Sequence, residues 1–153
     1  MSSATFILNG EQVPLEPLPS DTTLLEHLRA RGLVGTKEGC GDGDCGACTV
    51  AVLGAGPQGE ARFEALNSCL LPLATLEGRE VLTVEGLSRG RAGEGRGALH
   101  PVQAAMVAAG GSQCGYCTPG FVMSLFAAYY ESALSEATAP HDAIGGNLCR
   151  CTG

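Results

Sequence analysis

Eight cysteines fall into two quartets in this 153-residue chain, and none stands outside them. Cys40, Cys45 and Cys48 are spaced C-x4-C-x2-C, with Cys69 following. Cys114 and Cys117 form C-x2-C and are answered by Cys149 and Cys151 near the end. Thiols packed as closely as Cys40, Cys45 and Cys48 cannot all face one object from a regular helix or strand, so the backbone between them must curl. Gly41, Gly43 and Gly46 supply the conformational freedom for that curl. The fold must therefore present two tightly turned loops, each closed by a cysteine segment from farther along.

The first spacing is one by which four thiolates hold a [2Fe–2S] cluster, and the pattern reads as an electron carrier with two iron–sulfur centres. Competing readings fit less of the chain. Structural zinc suits the C-x2-C pairs but leaves Cys40 and Cys69 without a role. A disulfide scaffold matches the even count but lacks a secretory signal. A thioredoxin-like pair at Cys45/Cys48 or Cys114/Cys117 lacks the βαβ context. A Rieske centre needs two histidines beside two cysteines. His27 falls mid-helix, and His100 and His141 fall at helix starts, so each reads as structural.

Composition narrows the function classes. The net charge is -7, from 16 acidic against 9 basic residues, which argues against nucleic-acid binding through phosphate neutralisation. The Arg-containing run 88–97 reads as a solvated linker. With 44% hydrophobic and 5% aromatic residues and no Trp, a core must rest on Leu, Val and Ala. No charged n-region with an apolar h-region opens the chain, and no apolar run has membrane-spanning length, so a reducing, cytoplasmic setting is expected, with no membrane partner.

Along the first half, alternation predicts a strand at Thr5 to Leu8, a turn at Asn9-Gly10 and a return strand at Gln12 to Leu15. Thr23-Leu24-Leu25-Glu26 is a capping-box signature opening a helix that Gly32 can close. Further strands are expected at Thr49 to Leu53, Arg62 to Leu66 and Val81 to Val84. Two hairpins on one helix suggest a β-grasp arrangement. Beyond the linker, Pro101 to Ala109 predicts a helix stopped by Gly110-Gly111. A second helix is expected with Thr118 as its cap and Pro119 at its first position, burying Phe121, Leu125 and Tyr129, with Val122 and Phe126 widening the stripe. A third short helix runs from Pro140 towards Gly145-Gly146. Tyr129, Tyr130 and the methionines are expected in the core. The fold class is thus α+β: a ferredoxin-like β-grasp domain at 1–87, a flexible linker at 88–98 and a small all-α helical-bundle domain at 99–153, each domain with one quartet.

Gly35-Thr36-Lys37-Glu38-Gly39-Cys40-Gly41 and Asp44-Cys45-Gly46-Ala47-Cys48-Thr49-Val50 resemble the iron–sulfur part of the molybdenum hydroxylases. Gln113-Cys114-Gly115-Tyr116-Cys117-Thr118-Pro119-Gly120 and Gly146-Asn147-Leu148-Cys149-Arg150-Cys151-Thr152-Gly153 are still more specific to that family. The likeness covers essentially the whole chain in the family's order, and Leu66-Asn67-Ser68-Cys69-Leu70 and Val84-Glu85-Gly86-Leu87 resemble its bacterial xanthine dehydrogenase branch.

The resemblance implies two [2Fe–2S] clusters on Cys40, Cys45, Cys48 and Cys69 and on Cys114, Cys117, Cys149 and Cys151. It implies partner domains or subunits holding molybdopterin and FAD, with the second quartet and Gln113 nearest the pterin and the first quartet facing the flavin. Electrons would pass singly from the molybdenum centre to FAD and then NAD, in xanthine or hypoxanthine oxidation. The chain would thus be an oxidoreductase component with no catalytic residue of its own. An aldehyde oxidase or carbon monoxide dehydrogenase type, a free-standing ferredoxin and a zinc-stabilised module are the alternatives. The family's pattern continues past the last ligand with a Tyr-x-Pro-Ile-like segment and a helix. The chain is accordingly expected to be truncated, with Thr152 capping that helix and the second cluster less covered than the first.

Overall fold

The computed structural model describes residues 4–15, 19, 21–88, 97–131 and 140–152. The hairpin of β1 (Thr5–Leu8) and β2 (Glu11–Pro14) turns on Asn9 and Gly10, whose φ angles of 52° and 83° are those a tight two-residue turn demands. The return strand begins one residue earlier than expected, although Leu15 N–H still donates to the Ala4 carbonyl at 2.8 Å.

Helix α1 (Leu24–Ala30) opens with both halves of its capping box. Thr23 Oγ1 accepts from Glu26 N–H at 3.2 Å, and the Glu26 carboxylate accepts from Thr23 N–H at 2.7 Å. Replacing such a cap by Ala costs about 1 kcal/mol. Gly32, at φ 78°, ends the helix while Leu33 N–H reaches back to the Leu28 carbonyl at 3.0 Å.

Strands β3 (Thr49–Ala55) and β4 (Ala61–Asn67) pair antiparallel from Thr49↔Asn67 to Ala55↔Ala61. Strand β5 (Glu80–Leu82) runs parallel to β1 and antiparallel to β3, giving the sheet order β2-β1-β5-β3-β4. This is a β-grasp sheet with α1 on one face.

The last expected strand is shorter than its pattern implied. Val84 begins a one-turn helix, α2 (Val84–Leu87), because the Asn9 side chain takes Thr83 N–H at 2.9 Å and removes the donor a longer ladder would use. Two 3₁₀ turns not foreseen from sequence, Ser68–Leu70 and Leu73–Leu76, connect β4 to β5, and the first carries Cys69.

Alternation along β3 sends side chains to two separate cores. Val50 and Val52 meet Leu24 and Leu28 of α1 together with Phe6, Leu8 and Val81, all buried. Ala51 points the other way, into a cluster with Val122, Met123 and Phe126. Those three belong to α4 (Thr118–Tyr129), which packs across β3 and β4, while α3 (Pro101–Ala108) packs on α4. The short α5 (Pro140–Ala143) follows. The helices therefore form a layer over the second face of the sheet. Residues 89–96 of the expected linker lie outside the described residues.

Two expectations for α4 need correction. Cys117 occupies the cap position, Thr118 donates its hydroxyl to Ser112 Oγ at 2.8 Å, and Pro119 is the second helical residue. The buried face is Val122, Met123, Phe126 and Ala127, whereas Tyr129 is 57% exposed and Tyr130 is 40% exposed. Apolar residues run nearly all round this helix, so periodicity could not select its inner face. Close approach at Gly120 does. Met123 is buried, as expected, and Met106 is partly buried against it. Among the described residues no helix is long and apolar enough to cross a membrane.

Candidate metal centres

The loop between α1 and β3 curls through Gly41, Gly43 and Gly46, at φ 79°, 90° and 67°. That curl brings Cys40 and Cys45 into reciprocal contact. Cys45 N–H donates to Cys40 Sγ and Cys40 N–H to Cys45 Sγ, both at 3.3 Å. A Cβ on Gly39 would lie 2.7 Å from Cys45 Sγ, so the backbone approaches the sulfur as only glycine allows. Cys48 and Cys69, both buried, pack together with Leu25 of α1. Ser68 donates its hydroxyl to the Cys48 carbonyl at 2.7 Å and pins the 3₁₀ turn that delivers Cys69.

In the second quartet, Cys114 and Cys151 lie close enough to shift each other's thiols, as do Cys117 and Cys149. Cys114 and Cys151 are exposed and Cys117 and Cys149 half-buried, so this site is the more open of the two. Gln113 is exposed beside Cys114. Among the described residues no three His, Cys, Asp or Glu side chains surround a single point that could hold one ion. The sulfurs meet in pairs, and pairs are what two irons sharing four cysteines require.

Backbone donors aim at these sulfurs. N–H groups of Asp42 and Cys45 point to Cys40, Gly43 to Cys69, Tyr116 to Cys114, and Cys151 and Thr152 to Cys149. Such donors favour thiolate over thiol, and they stabilise the negative charge of a bound cluster. The Thr152 hydroxyl at 2.8 Å, followed by its N–H and Cys117, lowers the Cys149 thiol to about 7. At Cys40 the Asp42 carboxylate pushes upward, but the Asp42 N–H and Cys45 outweigh it and the net shift is down. Burial raises Cys117, reinforced by Cys149. Burial also pushes Cys69 up to about 12, reinforced by Cys48. The donor set fits iron–sulfur clusters: all eight sulfurs stand in pairs, most of them flanked by N–H groups.

A pH dependence follows for the metal-free chain. The folded state holds the Cys69 proton more tightly than the unfolded chain, whose thiols titrate near about 8.5. The stabilisation is full below that value and is lost as pH rises towards about 12. The unfolding temperature of the metal-free protein should therefore fall through that alkaline window, and fall less in Cys69→Ala. Equal slopes in thermal melts would contradict it.

The two loops are tied together by motif residues to which the sequence assigned no role. Asn147 Nδ2 donates to the Gly46 carbonyl at 3.0 Å, and its Oδ1 accepts from Ser124 Oγ at 2.6 Å. Leu148 N–H donates to the Cys45 carbonyl at 3.0 Å. Tyr116 donates its hydroxyl to the Glu38 carbonyl. An Asn two residues before a cysteine was the available signal, but its partners in the first loop lie about a hundred residues away.

Comparisons with known proteins bear on the same segments. Residues 6–74 match the family described as a 2Fe-2S iron-sulfur cluster binding domain, and residues 83–153 match the [2Fe-2S] binding domain family. The chain is 44% identical to a xanthine dehydrogenase of Emericella nidulans over 97% of its own length and 10% of that protein's. It is 43% identical to aldehyde oxidase 1 of Bos taurus over 99% of its length and 11% of that protein's. Among solved structures, a quinoline 2-oxidoreductase chain from Pseudomonas putida 86 superposes with a TM-score of 0.72 at 31% identity, covering 99% of this chain and 85% of that one. The chain thus spans about a tenth of the curated relatives' length.

Proposed function

This chain belongs to the iron–sulfur component of the molybdenum hydroxylases, and from that premise we propose that it relays single electrons from a molybdopterin centre to FAD, both held on other domains or subunits. A bound [2Fe–2S] cluster supplies a one-electron carrier. The chain's own residues do the rest. Cys40, Cys45, Cys48 and Cys69 hold one cluster, and Cys114, Cys117, Cys149 and Cys151 hold the other. The surrounding N–H groups set how readily each accepts charge. Leu25, packed on Cys48 and Cys69, shields that half of the first site from water, while Cys40 stays exposed.

The observation that carries the reading is the gathering of the eight sulfurs as four close pairs, most of them with backbone donors beside them. The openness of the second site, with Gln113, Cys114 and Cys151 exposed, supports placing it against the pterin-bearing partner. The division into 1–87, 88–98 and 99–153 belongs to the same proposal. So does xanthine or hypoxanthine as the substrate oxidised elsewhere in the assembly and NAD as final acceptor, supported by the wording around Cys40 and Cys69. Aldehyde oxidation is the second reading, favoured by the 43% identity to aldehyde oxidase 1.

Anaerobically assembled chain should carry about four irons and about four labile sulfides and give two distinct paramagnetic signals when fully reduced. A single signal would count against two clusters. Assay of the enzyme assembled with its molybdopterin-bearing partner on xanthine and on an aromatic aldehyde separates the two substrate readings.

A further inference from the structure

We propose that Asn147, seconded by Tyr116, is a positioning residue that fixes the separation and mutual orientation of the two iron–sulfur centres, so that this chain sets its own inter-cluster geometry. The inference rests on the relay reading above. Asn147 lies in the segment that closes the second site, two residues before Cys149. Its Nδ2 reaches the Gly46 carbonyl at 3.0 Å and Thr49 Oγ1 at 3.3 Å. Gly46 stands between Cys45 and Cys48, and Thr49 directly follows Cys48. The same side chain accepts from Ser124 on α4 at 2.6 Å, so one amide joins both cysteine loops to the helix between them.

Tyr116 works from the other flank. It stands between Cys114 and Cys117 and donates to the carbonyl of Glu38, two residues ahead of Cys40. Each loop of the second site therefore grips one end of the first loop. Asn147 and Tyr116 both end on backbone carbonyls of that loop, so they constrain the path of the chain itself. The approach is tight: a Cβ on Gly46 would lie 2.4 Å from the Gly146 carbonyl, and a Cβ on Gly120 would lie 2.2 Å from the Gly46 carbonyl. Transfer of an electron from one reduced centre to the other, oxidised one falls steeply with distance. Small changes in this clamp should therefore act on the rate between centres while leaving each centre chemically intact.

The test is Asn147→Ala, with Tyr116→Phe beside it, in the full chain loaded with iron and sulfide. Magnetic-resonance spectra of the fully reduced protein report the splitting that each paramagnetic centre imposes on the other, and rapid-mixing reduction reports the rate between them. Thr23→Ala, which removes the α1 cap and leaves every bond of the clamp in place, is the control. The proposal expects about four irons in Asn147→Ala, single-centre spectra like the parent's, and loss of the parent splitting. It expects a smaller change of the same kind in Tyr116→Phe and none in Thr23→Ala. Parent splitting in an iron-replete Asn147→Ala overturns it, and so does equal loss in the control. Should Asn147→Ala shed iron, Tyr116→Phe decides: unchanged splitting there overturns the clamp. A parent chain with only one paramagnetic centre would instead sink the relay reading, so the two failures are distinguishable.

Discussion

Cys48→Ser should leave a chain with about two irons instead of about four, and an enzyme assembled with it should reduce its acceptor only at background. Cys48 is 2% exposed and packs on Cys69, itself 8% exposed, beneath Leu25. A serine there replaces a soft thiolate by a poorly ionised hydroxyl, and it leaves the buried Cys69 thiol, already pushed up to about 12, without the iron that would displace its proton. The fold should survive, because Val50, Val52, Leu24 and Leu28 form their core without the loop. Cys117→Ser should remove the other cluster and, in the proposed relay, produce a different block: the molybdenum centre would be reduced by substrate but would not discharge. Iron analysis and single-turnover reduction separate the two variants. Full turnover in either one would falsify the serial relay.

Gly120→Ala should be the most damaging single methyl addition outside the cysteine loops. Its Cβ would sit 2.2 Å from the Gly46 carbonyl and 3.2 Å from Asn147 Nδ2, and the first is a backbone atom that no rotamer change moves. Either α4 backs away from the sheet, opening contacts of Val122, Met123 and Phe126 with Ala51, or the loop carrying Cys45 and Cys48 shifts. Overpacking of this kind costs about 1–3 kcal/mol, and more where backbone must yield. The midpoint of denaturant unfolding should drop accordingly, with broadened spectra from both centres. An unchanged midpoint would show that the helix and loop are less closely apposed than described.

The parts legible in the sequence were those governed by local chemistry. The turn at Asn9 and Gly10, the reciprocal cap between Thr23 and Glu26, and the strand starting at Thr49 all rest on neighbours a few residues apart. The gathering of the cysteines into two groups was legible for a related reason, since thiol spacing restricts what a loop can enclose. What local pattern could not reveal were choices settled by distant partners. The end of β5 is decided by Asn9, 74 residues away, and the inner face of α4 by a glycine against the Gly46 carbonyl. The 3₁₀ turn that delivers Cys69 has no periodic signature, because a single short turn is held by Ser68 bonding back to the Cys48 carbonyl.

The small side chain of Ala51 has an evolutionary corollary. It lets α4 settle directly on β3, so the sheet has no finished outer surface until the later half of the chain arrives. Cutting the gene between the halves would strand a greasy sheet face and an orphan helix, each prone to clumping. A recombination event that split the halves would uncover this face, whereas one that moved the piece whole would carry both redox stations together.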